Sequence, residues 1–326
     1  MEIPAQQYQK LYDILHHYRL EISRLEVLQN HGSLVARVDT PGASYALRIC
    51  YPRCPLERVQ EEVDWLLALK RDTDLVVPTP VANEQGAFIT SWTASELEPL
   101  QHCVLFNWIE GDTVRNSLSQ ETAASVGTLI ARLHRHAQSY TPVRTSAFVG
   151  QRYDLNWLIG PASWWNTGCT RENLGSETYT RLQPAVNLAV EAMSRFGEVP
   201  EHFGIIHADL HFDNILLHQN RCALLDFGDY SLGYYLHDLA ITERAFRKSC
   251  DDQHIIAAFH QGYCQERNLP LSFLHDIDAF MILVNVIFLA WILTTDNSEA
   301  RELLLPQVPQ SIEHILGSAE RAKRAL

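Results

Sequence analysis

Runs of Lys and Arg are missing from the sequence, and its overall charge is strongly negative. The 326 residues include 26 Lys and Arg against 39 Asp and Glu, so the formal net charge is −13 at pH 7. Surfaces that bind nucleic acids neutralise phosphates with clustered cations, so this balance argues against a nucleic-acid partner. A negative surface suits a cationic small-molecule substrate, but in most proteins it simply keeps the chain in solution.

Paired cysteines and an N-terminal apolar segment are missing as well. The seven cysteines are scattered without C-x-x-C spacing, and an odd number favours reduced thiols over a disulfide framework. The first residues, MEIPAQQYQKLYDILHHYRLEIS, predict an amphipathic helix and not a signal peptide. We therefore expect a cytoplasmic protein.

Long hydrophobic runs are nearly absent. The most apolar stretch, FMILVNVIFLAWIL (280–293), is shorter than a bilayer span and contains Asn285. We expect it to form a helix that is buried in the core or in an interface. No membrane partner is predicted, and the oligomeric state stays open.

The first hundred residues show the patterns of an antiparallel sheet with one helix inserted. Alternating apolar residues predict strands in LEVLQN, SLVARVDT and SYALRICY, and further strands in DLVVPTPV, GAFITSW and CVLFNWIEGD. The segment LERVQEEVDWLLALKRDT has apolar residues at helical spacing. From residue 119 onward long helical patterns dominate, and Pro184 should bend or break the second of them. The predicted fold class is α+β and bilobal, with a sheet-containing N-terminal lobe over 1–110 and a mainly helical C-terminal lobe over 111–326.

Acidic residues interrupt apolar sequence in GIIHADLHFDNILLHQNRCALLDFGD (204–229). We interpret IIHADLHFDNILL as strand, loop and strand, which places Asp209 in the loop and Asn214 where apolar sequence resumes. Asp226 then ends the next strand. An amide oxygen and a carboxylate suit Mg²⁺, which prefers few hard oxygen ligands completed by substrate phosphates. The separate carboxylate of Asp209 is placed to orient an acceptor hydroxyl and take its proton.

The segments HADLHFDN and LLDFGD together resemble the catalytic loop and metal-binding segment of the aminoglycoside phosphotransferase and choline kinase family, relatives of protein kinases. The kinase pattern is H-R-D-x-x-x-x-N followed by D-F-G. His207, Asp209 and Asn214 match the first part, and Asp226 begins the second. The resemblance spans about 25–240 and is closest to type II homoserine kinases and bacterial stress-response kinases. It implies a protein-kinase-like fold with Asp209 as catalytic base and Asn214 and Asp226 as Mg²⁺ ligands.

The resemblance also implies a phosphate-binding cation on the third strand. Kinases place a Lys there and pair it with a helix Glu. The matching residue in YALRIC is Arg48, which carries the same charge in a planar fork. Its expected partner is Glu62, or Glu61 if the helix register is shifted by one.

The remaining nucleotide contacts are also implied by the resemblance. The loop NHGSLVARV would cover the phosphates, although Gly32 is its only glycine. The segment LFNWIEGD, with Phe106 and Trp108, would join the lobes and receive an adenine edge through its backbone. The expected cofactors are ATP and Mg²⁺, and GTP is an open alternative as donor.

Several residues of this region have two possible roles. His207 is expected to be a structural hydrogen bonder, whereas His211 is either catalytic or structural. Asp213 is expected to be solvated. Asp229 either approaches a second Mg²⁺ or caps a turn. Asp238 is expected to be a helix N-cap.

Aromatic residues cluster in RYDLNWLIGPASWWNTG (152–168). In the resembling family this segment helps to build the acceptor pocket. Trp157, Trp164 and Trp165 therefore either hold an apolar or cationic acceptor or serve as ordinary packing.

These features together predict an enzyme that transfers the γ-phosphoryl group of MgATP to a hydroxyl of a small molecule, such as an aminoglycoside, an amino alcohol or homoserine. One alternative is a Ser/Thr protein kinase of the stress-response type, although no A-P-E segment ends an activation loop. The other is a nucleotide-binding module without catalytic activity.

Overall fold

The computed structural model describes residues 5–31, 33–51, 54–93, 99–141, 150–219, 221–250 and 252–325. The described residues divide into two compact units. Unit 1 contains those of Met1–Asp112, Tyr140–Val149 and Ala223–Gly228, and unit 2 contains those of Thr113–Ser139, Gly150–Cys222 and Asp229–Leu326. A functional division of the chain at residue 110 stays a prediction.

Unit 1 is built on an antiparallel sheet of five strands in the order β1-β2-β3-β5-β4. The strands are β1 (Arg24–His31), β2 (Ser33–Asp39), β3 (Ser44–Ile49), β4 (Thr90–Trp92) and β5 (Gln101–Asn107). The apolar alternation of β2 buries Leu34, Ala36 and Val38 on one face. Helix α1 (Ala5–Leu15) adds its apolar residues to the same core, and α2 (Leu56–Asp72) follows β3.

One predicted strand of unit 1 is wrong. The segment DLVVPTPV forms only isolated bridges, from Val76 to Ala223 and from Pro80 to Phe106. Pro78 and Pro80 lack backbone N–H groups, so this segment cannot form a continuous ladder. The three early strands and the inserted helix are confirmed.

Unit 2 is mainly helical. Its helices are α3 (Gln120–Ser139), α4 (Leu155–Ile159), α5 (Trp164–Thr167), α6 (Arg171–Leu174), α7 (Ser176–Phe196), α8 (Tyr235–Ser249), α9 (Gln253–Arg267), α10 (Ile277–Thr294), α11 (Ser298–Leu304) and α12 (Val308–Ala325). The remaining strands are β6 (Asp112–Thr113), β7 (Gln151–Tyr153), β8 (Phe203–Ile206), β9 (Ile215–His218), β10 (Arg221–Leu224) and β11 (Ser231–Tyr234). They form two sheets in the orders β10-β9-β6 and β7-β11-β8, and β11 runs parallel to β7 and antiparallel to β8.

Helix α7 continues through Pro184, which was expected to bend or break it. A proline inside a helix costs roughly 3 kcal/mol because a hydrogen bond is lost. The flanking residues Leu182, Ala185 and Val186 are buried, and burying such apolar surface offsets this cost.

Helix α10 is the predicted core helix. The segment Leu271–Thr294 is long and apolar enough to cross a membrane, but 67% of its most apolar window is buried inside the protein. The polar Asn285 is satisfied there, because its Nδ2 donates to the Met281 carbonyl at 2.8 Å and its Oδ1 accepts from Arg244.

Glycines allow α3 and α9 to pack closely. A Cβ atom at Gly127 would lie 2.2 Å from the Phe259 carbonyl oxygen. We expect Gly127→Ala to lower the free energy of unfolding by about 1–3 kcal/mol, as overpacking does. Gly317→Ala in α12 is the matched control, because its nearest neighbour would be Arg321 Nη1 at 3.5 Å and it should stabilise by about 0.5–1 kcal/mol. Urea denaturation measures both values, and shifts of the same sign would refute this account of the packing.

Candidate active site

A buried carboxylate holds the loop that carries Asp209. Asp238 lies in the first turn of α8 and is fully buried. Its Oδ2 accepts from the His207 backbone N–H at 2.9 Å, and its Oδ1 accepts from the Ala208 N–H at 2.7 Å. Ala208 has a φ of 69°, a conformation that costs energy for a residue with a Cβ, and these two bonds keep it there.

Asp238 is therefore not the helix N-cap that the sequence suggested. The N-cap position is Tyr234, and Asp238 lies four residues further on. Its carboxylate also lies 3.0 Å from Nε2 of the buried His134. Burial acts to raise the pKa of Asp238, but the bonds to His134 and His207 outweigh it and lower the pKa.

His207 has the structural role that was predicted for it. The side chain is fully buried, and its Nδ1 accepts from the Asp209 backbone N–H at 3.3 Å. The loop is thus fixed on both sides of Ala208, while the Asp209 side chain remains 36% exposed and accessible to a substrate.

Asn214 is oriented by Asp209. Its Nδ2 donates to the Asp209 backbone oxygen and to Asp209 Oδ2, both at 2.9 Å. Within the described chain no hydrogen bond engages Asn214 Oδ1, so the amide oxygen is available to a ligand. His211 lies beside both residues, with its Nε2 at 3.3 Å from Asp209 Oδ2.

Asp213 is a surface residue, as expected. Its side chain is 62% exposed and forms an ion pair with Arg115 at 3.1 Å. Such exposed pairs contribute little to stability.

Arg48 forms a buried ion pair in unit 1. Its Nη1 donates to Glu62 Oε1 at 2.8 Å, and its Nη2 bonds the other oxygen of the same carboxylate. The partner is therefore Glu62 and not Glu61. Burial acts to lower the pKa of Arg48, but the charge of Glu62 outweighs it and raises the pKa.

Arg48 also faces Asp226, since its Nη1 lies 3.7 Å from Asp226 Oδ1. The segment around Asp226 is joined to unit 1 on both sides. The backbone N–H of Leu224 donates to the Val76 carbonyl at 3.0 Å, and Nη2 of the Arg58 side chain donates to the Gly228 carbonyl at 2.9 Å. The Asp226 side chain is 49% exposed, so it is held at one side by Arg48 and accessible on the other.

The chemistry of these donors suits Mg²⁺. Taken separately, Asn214 in unit 2 offers an amide oxygen and Asp226 in unit 1 offers carboxylate oxygens, and both are hard ligands. No group of three or more His, Cys, Asp and Glu side chains suited to a metal occurs among the described residues. A site with few protein ligands is expected where substrate phosphates complete the coordination.

The other residues predicted to contact the nucleotide are Phe106, Trp108 and Gly32. Phe106 is buried on β5, and the Arg48 guanidinium lies 5.5 Å from its ring centre. The backbone N–H of Trp108 donates to the Ser44 carbonyl at 3.1 Å, so it is not free for an adenine edge. Gly32 lies outside the described residues.

The aromatic cluster divides into two parts. Trp165 is buried and stacks on Tyr179, with ring centres 5.0 Å apart, so it serves packing. Trp157 is partly buried and stacks on Tyr153 at 3.9 Å, and Trp164 lies 6.3 Å from Trp157.

His237, the chain neighbour of Asp238, is a buried residue to which sequence reasoning assigned no role. It is buried, its ring centre lies 5.0 Å from that of Tyr153, and its Nδ1 has no hydrogen-bond partner. Burial lowers the pKa of His237 to about 4, although the charges of Asp238 and Asp209 oppose the shift. The imidazole is therefore neutral at neutral pH, and no motif in the sequence indicates its burial.

Comparison with known proteins decides the family. The sequence model of the phosphotransferase enzyme family (APH) matches residues 26–271. The chain belongs to this family. The resemblance inferred from the catalytic motifs is thus confirmed, and with it a phosphotransferase of kinase-like fold.

Individual relatives agree with this assignment. The structure of a microcompartment-associated aminopropanol kinase superposes with a TM-score of 0.78 at 24% identity and covers 97% of each chain. Amicoumacin kinase, solved with AMP-PNP and Ca²⁺, gives 0.73 at 16% identity over 96% of this chain and 93% of that one. Homoserine kinase from Neisseria meningitidis serogroup B is 27% identical over 222 residues, which are 65% of each protein.

The low pKa of His237 makes stability depend on pH. Because its folded pKa of about 4 lies below the ordinary 6.5, its contribution is complete above pH 6.5 and is lost as the pH falls towards 4. The full loss amounts to about 3 kcal/mol at about 1.36 kcal/mol per unit. His237→Phe should lack this dependence. The difference between its free energy of unfolding and that of wild type should therefore shrink as the pH falls from 7 to 4.

Chemical denaturation at several pH values measures this difference. His218→Gln, at an exposed position at the end of β9, is the control and should follow wild type throughout. A difference between His237→Phe and wild type that is constant from pH 7 to pH 4 would contradict the assignment.

Proposed function

We propose that the protein transfers the γ-phosphoryl group of ATP to a hydroxyl group of a small molecule, using Mg²⁺. Asp209 is the base that orients the hydroxyl and takes its proton. The observation that carries this proposal is the pairing of Asp209 with Asn214, in which one amide group bonds the base and presents its oxygen to a ligand.

Asn214 and Asp226 are the proposed Mg²⁺ ligands. The bound metal would neutralise charge on the donor phosphates. The bond from Asn214 Nδ2 to Asp209 fixes which face of the amide offers oxygen. In the same way, the attraction of Arg48 to Oδ1 limits the orientations of the Asp226 carboxylate.

Arg48 is proposed to bind the donor phosphates. The Glu62 carboxylate accepts hydrogen bonds from both Nη groups and so fixes the plane of the Arg48 guanidinium. The side chain is therefore ordered before nucleotide binds. Gly32, Phe106 and Trp108 are proposed to complete the nucleotide site, with Trp108 contributing groups other than its N–H.

The proposed acceptors are amino alcohols, homoserine-like compounds or aminoglycosides. Support comes from the relatives, which include an aminopropanol kinase and a homoserine kinase. The chemistry needs neither a nucleic acid nor a membrane, and we propose a cytoplasmic location.

Substitution of Asp209 tests the proposal. We expect Asp209→Asn to lower kcat about 10²- to 10⁴-fold, because the base is lost while the hydrogen bonds of the loop are kept. Calorimetric titration should show unchanged affinity for MgATP. Turnover is measured by coupled detection of ADP with a panel of amino alcohols and hydroxy amino acids.

Asp213→Asn is the matched control, since it removes an exposed carboxylate from the same loop. It should keep nearly normal turnover. Full activity in Asp209→Asn would refute the assignment, and MgATP binding without turnover on any acceptor in wild type would indicate a non-catalytic nucleotide-binding module.

A further inference from the structure

Unit 2 contains a group of basic side chains that have no acidic partner in the part of the chain that the structure describes. Arg244 and Lys248 lie one turn apart on α8, and His314 lies on α12. No carboxylate within the described residues forms an ion pair with any of these three, which we call the cationic cluster. Because the chain has a net charge of −13, basic side chains without a carboxylate partner are unexpected.

Arg244 is held in place by uncharged groups. Its Nε donates to Asn285 Oδ1 at 2.8 Å, and its guanidinium lies 4.4 Å from the centre of the Phe288 ring. Because Asn285 is itself fixed by its bond to Met281, the direction of the guanidinium is set. Within the described residues neither Nη1 nor Nη2 forms a hydrogen bond, so both are available to a ligand.

The neighbouring acids already have other partners. In unit 2, Glu243 pairs with Arg247 and His260, both at 2.6 Å. Asp213 pairs with Arg115 at 3.1 Å, and Asp278 pairs with Arg321 at 2.8 Å. These carboxylates therefore do not neutralise the cationic cluster.

The members of the cluster repel one another. Burial lowers the pKa of Lys248, and the charges of Arg244 and Arg115 lower it further. Burial likewise lowers the pKa of His314, together with the charges of Arg244, Lys248 and Arg321. Arg244 is a partly buried cation without a carboxylate partner among the described residues, and a bound anion would compensate for its burial.

The cluster is linked to the catalytic loop by two connections. Helix α8 supports that loop through Asp238 and through Thr242, whose Oγ1 donates to the Leu210 carbonyl at 2.8 Å. Arg115, whose charge contributes to the lowered pKa of Lys248, pairs with Asp213, four residues after Asp209.

We propose that the cationic cluster binds an oxyanion of the phosphoryl acceptor, with the fork of Arg244 as its main contact. The inference rests on the proposed phosphotransfer. A guanidinium binds carboxylates and phosphates through two parallel hydrogen bonds, so the acceptor is a hydroxy acid, a hydroxy amino acid or a phosphorylated alcohol. Lys248 adds positive charge beside it, and a bound anion would favour protonation of His314.

Matched acceptor pairs test this inference in the full-length protein. Homoserine and 3-amino-1-propanol differ only by a carboxylate, as do L-threonine and 1-amino-2-propanol, while glycerol 3-phosphate and glycerol differ by a phosphate. We expect the anionic member of at least one pair to have a kcat/KM about tenfold or more above that of its partner. This preference should fall about 10- to 100-fold in Arg244→Gln, the range typical of charged hydrogen bonds.

Two further variants control the experiment. Lys248→Gln removes an exposed member whose one hydrogen bond, to Gln307, is long at 3.3 Å, so it should reduce the preference without unfolding the protein. Arg195→Gln removes an exposed arginine of α7 that pairs with Asp276, and it should leave the preference unchanged.

Each outcome decides a different point. A preference confined to the amino acids assigns a carboxylate, and one confined to glycerol 3-phosphate assigns a phosphate. Transfer with no preference for the anionic member, or a preference that survives both Arg244→Gln and Lys248→Gln, would overturn this inference and leave the proposed function standing. Intact MgATP binding without transfer to any acceptor would overturn the proposed function and this inference with it.

Discussion

The buried carboxylate of Asp238 is the interaction on which the catalytic loop depends. Burial of an ionised group is costly unless hydrogen bonds compensate for it. Here two backbone N–H groups and His134 supply them, and in return the carboxylate fixes Ala208 in an unfavourable conformation. Asp209 follows directly, so its exposed position is a consequence of a buried charge and not of the loop sequence alone.

Unit 1 also contains a buried ion that orients a carboxylate, but this ion is a cation. The buried cation of Arg48 is compensated by Glu62, and it attracts the half-exposed Asp226. In both units a buried ion, itself held by hydrogen bonds, orients an accessible carboxylate. Such ordering before substrate binds is what phosphoryl transfer requires, because it proceeds mainly by placement and charge stabilisation.

The sequence predicted those features that depend on short spacing. The loop with Asp209 and Asn214 and the strand that ends near Asp226 follow from a local motif, and the early strands follow from alternation of apolar residues. The error at 74–81 arose because Pro78 and Pro80 lack the backbone N–H donors that a strand needs for its ladder. The support of the loop by Asp238 and the fixed direction of the Arg244 guanidinium depend on partners 30 and 41 residues away, and no local pattern indicates such partners.

Phosphorus-31 NMR of the wild-type protein with MgATP and a mixture of amino alcohols and hydroxy amino acids tests the central claim most directly. The proposed reaction is the Mg²⁺-dependent transfer of the γ-phosphoryl group of ATP to a hydroxyl, with Asp209 as base. We predict that the γ-phosphate resonance is replaced in equal amount by a phosphomonoester resonance, and only when Mg²⁺ is present. Release of inorganic phosphate alone, or transfer that persists without a divalent metal, would contradict the account.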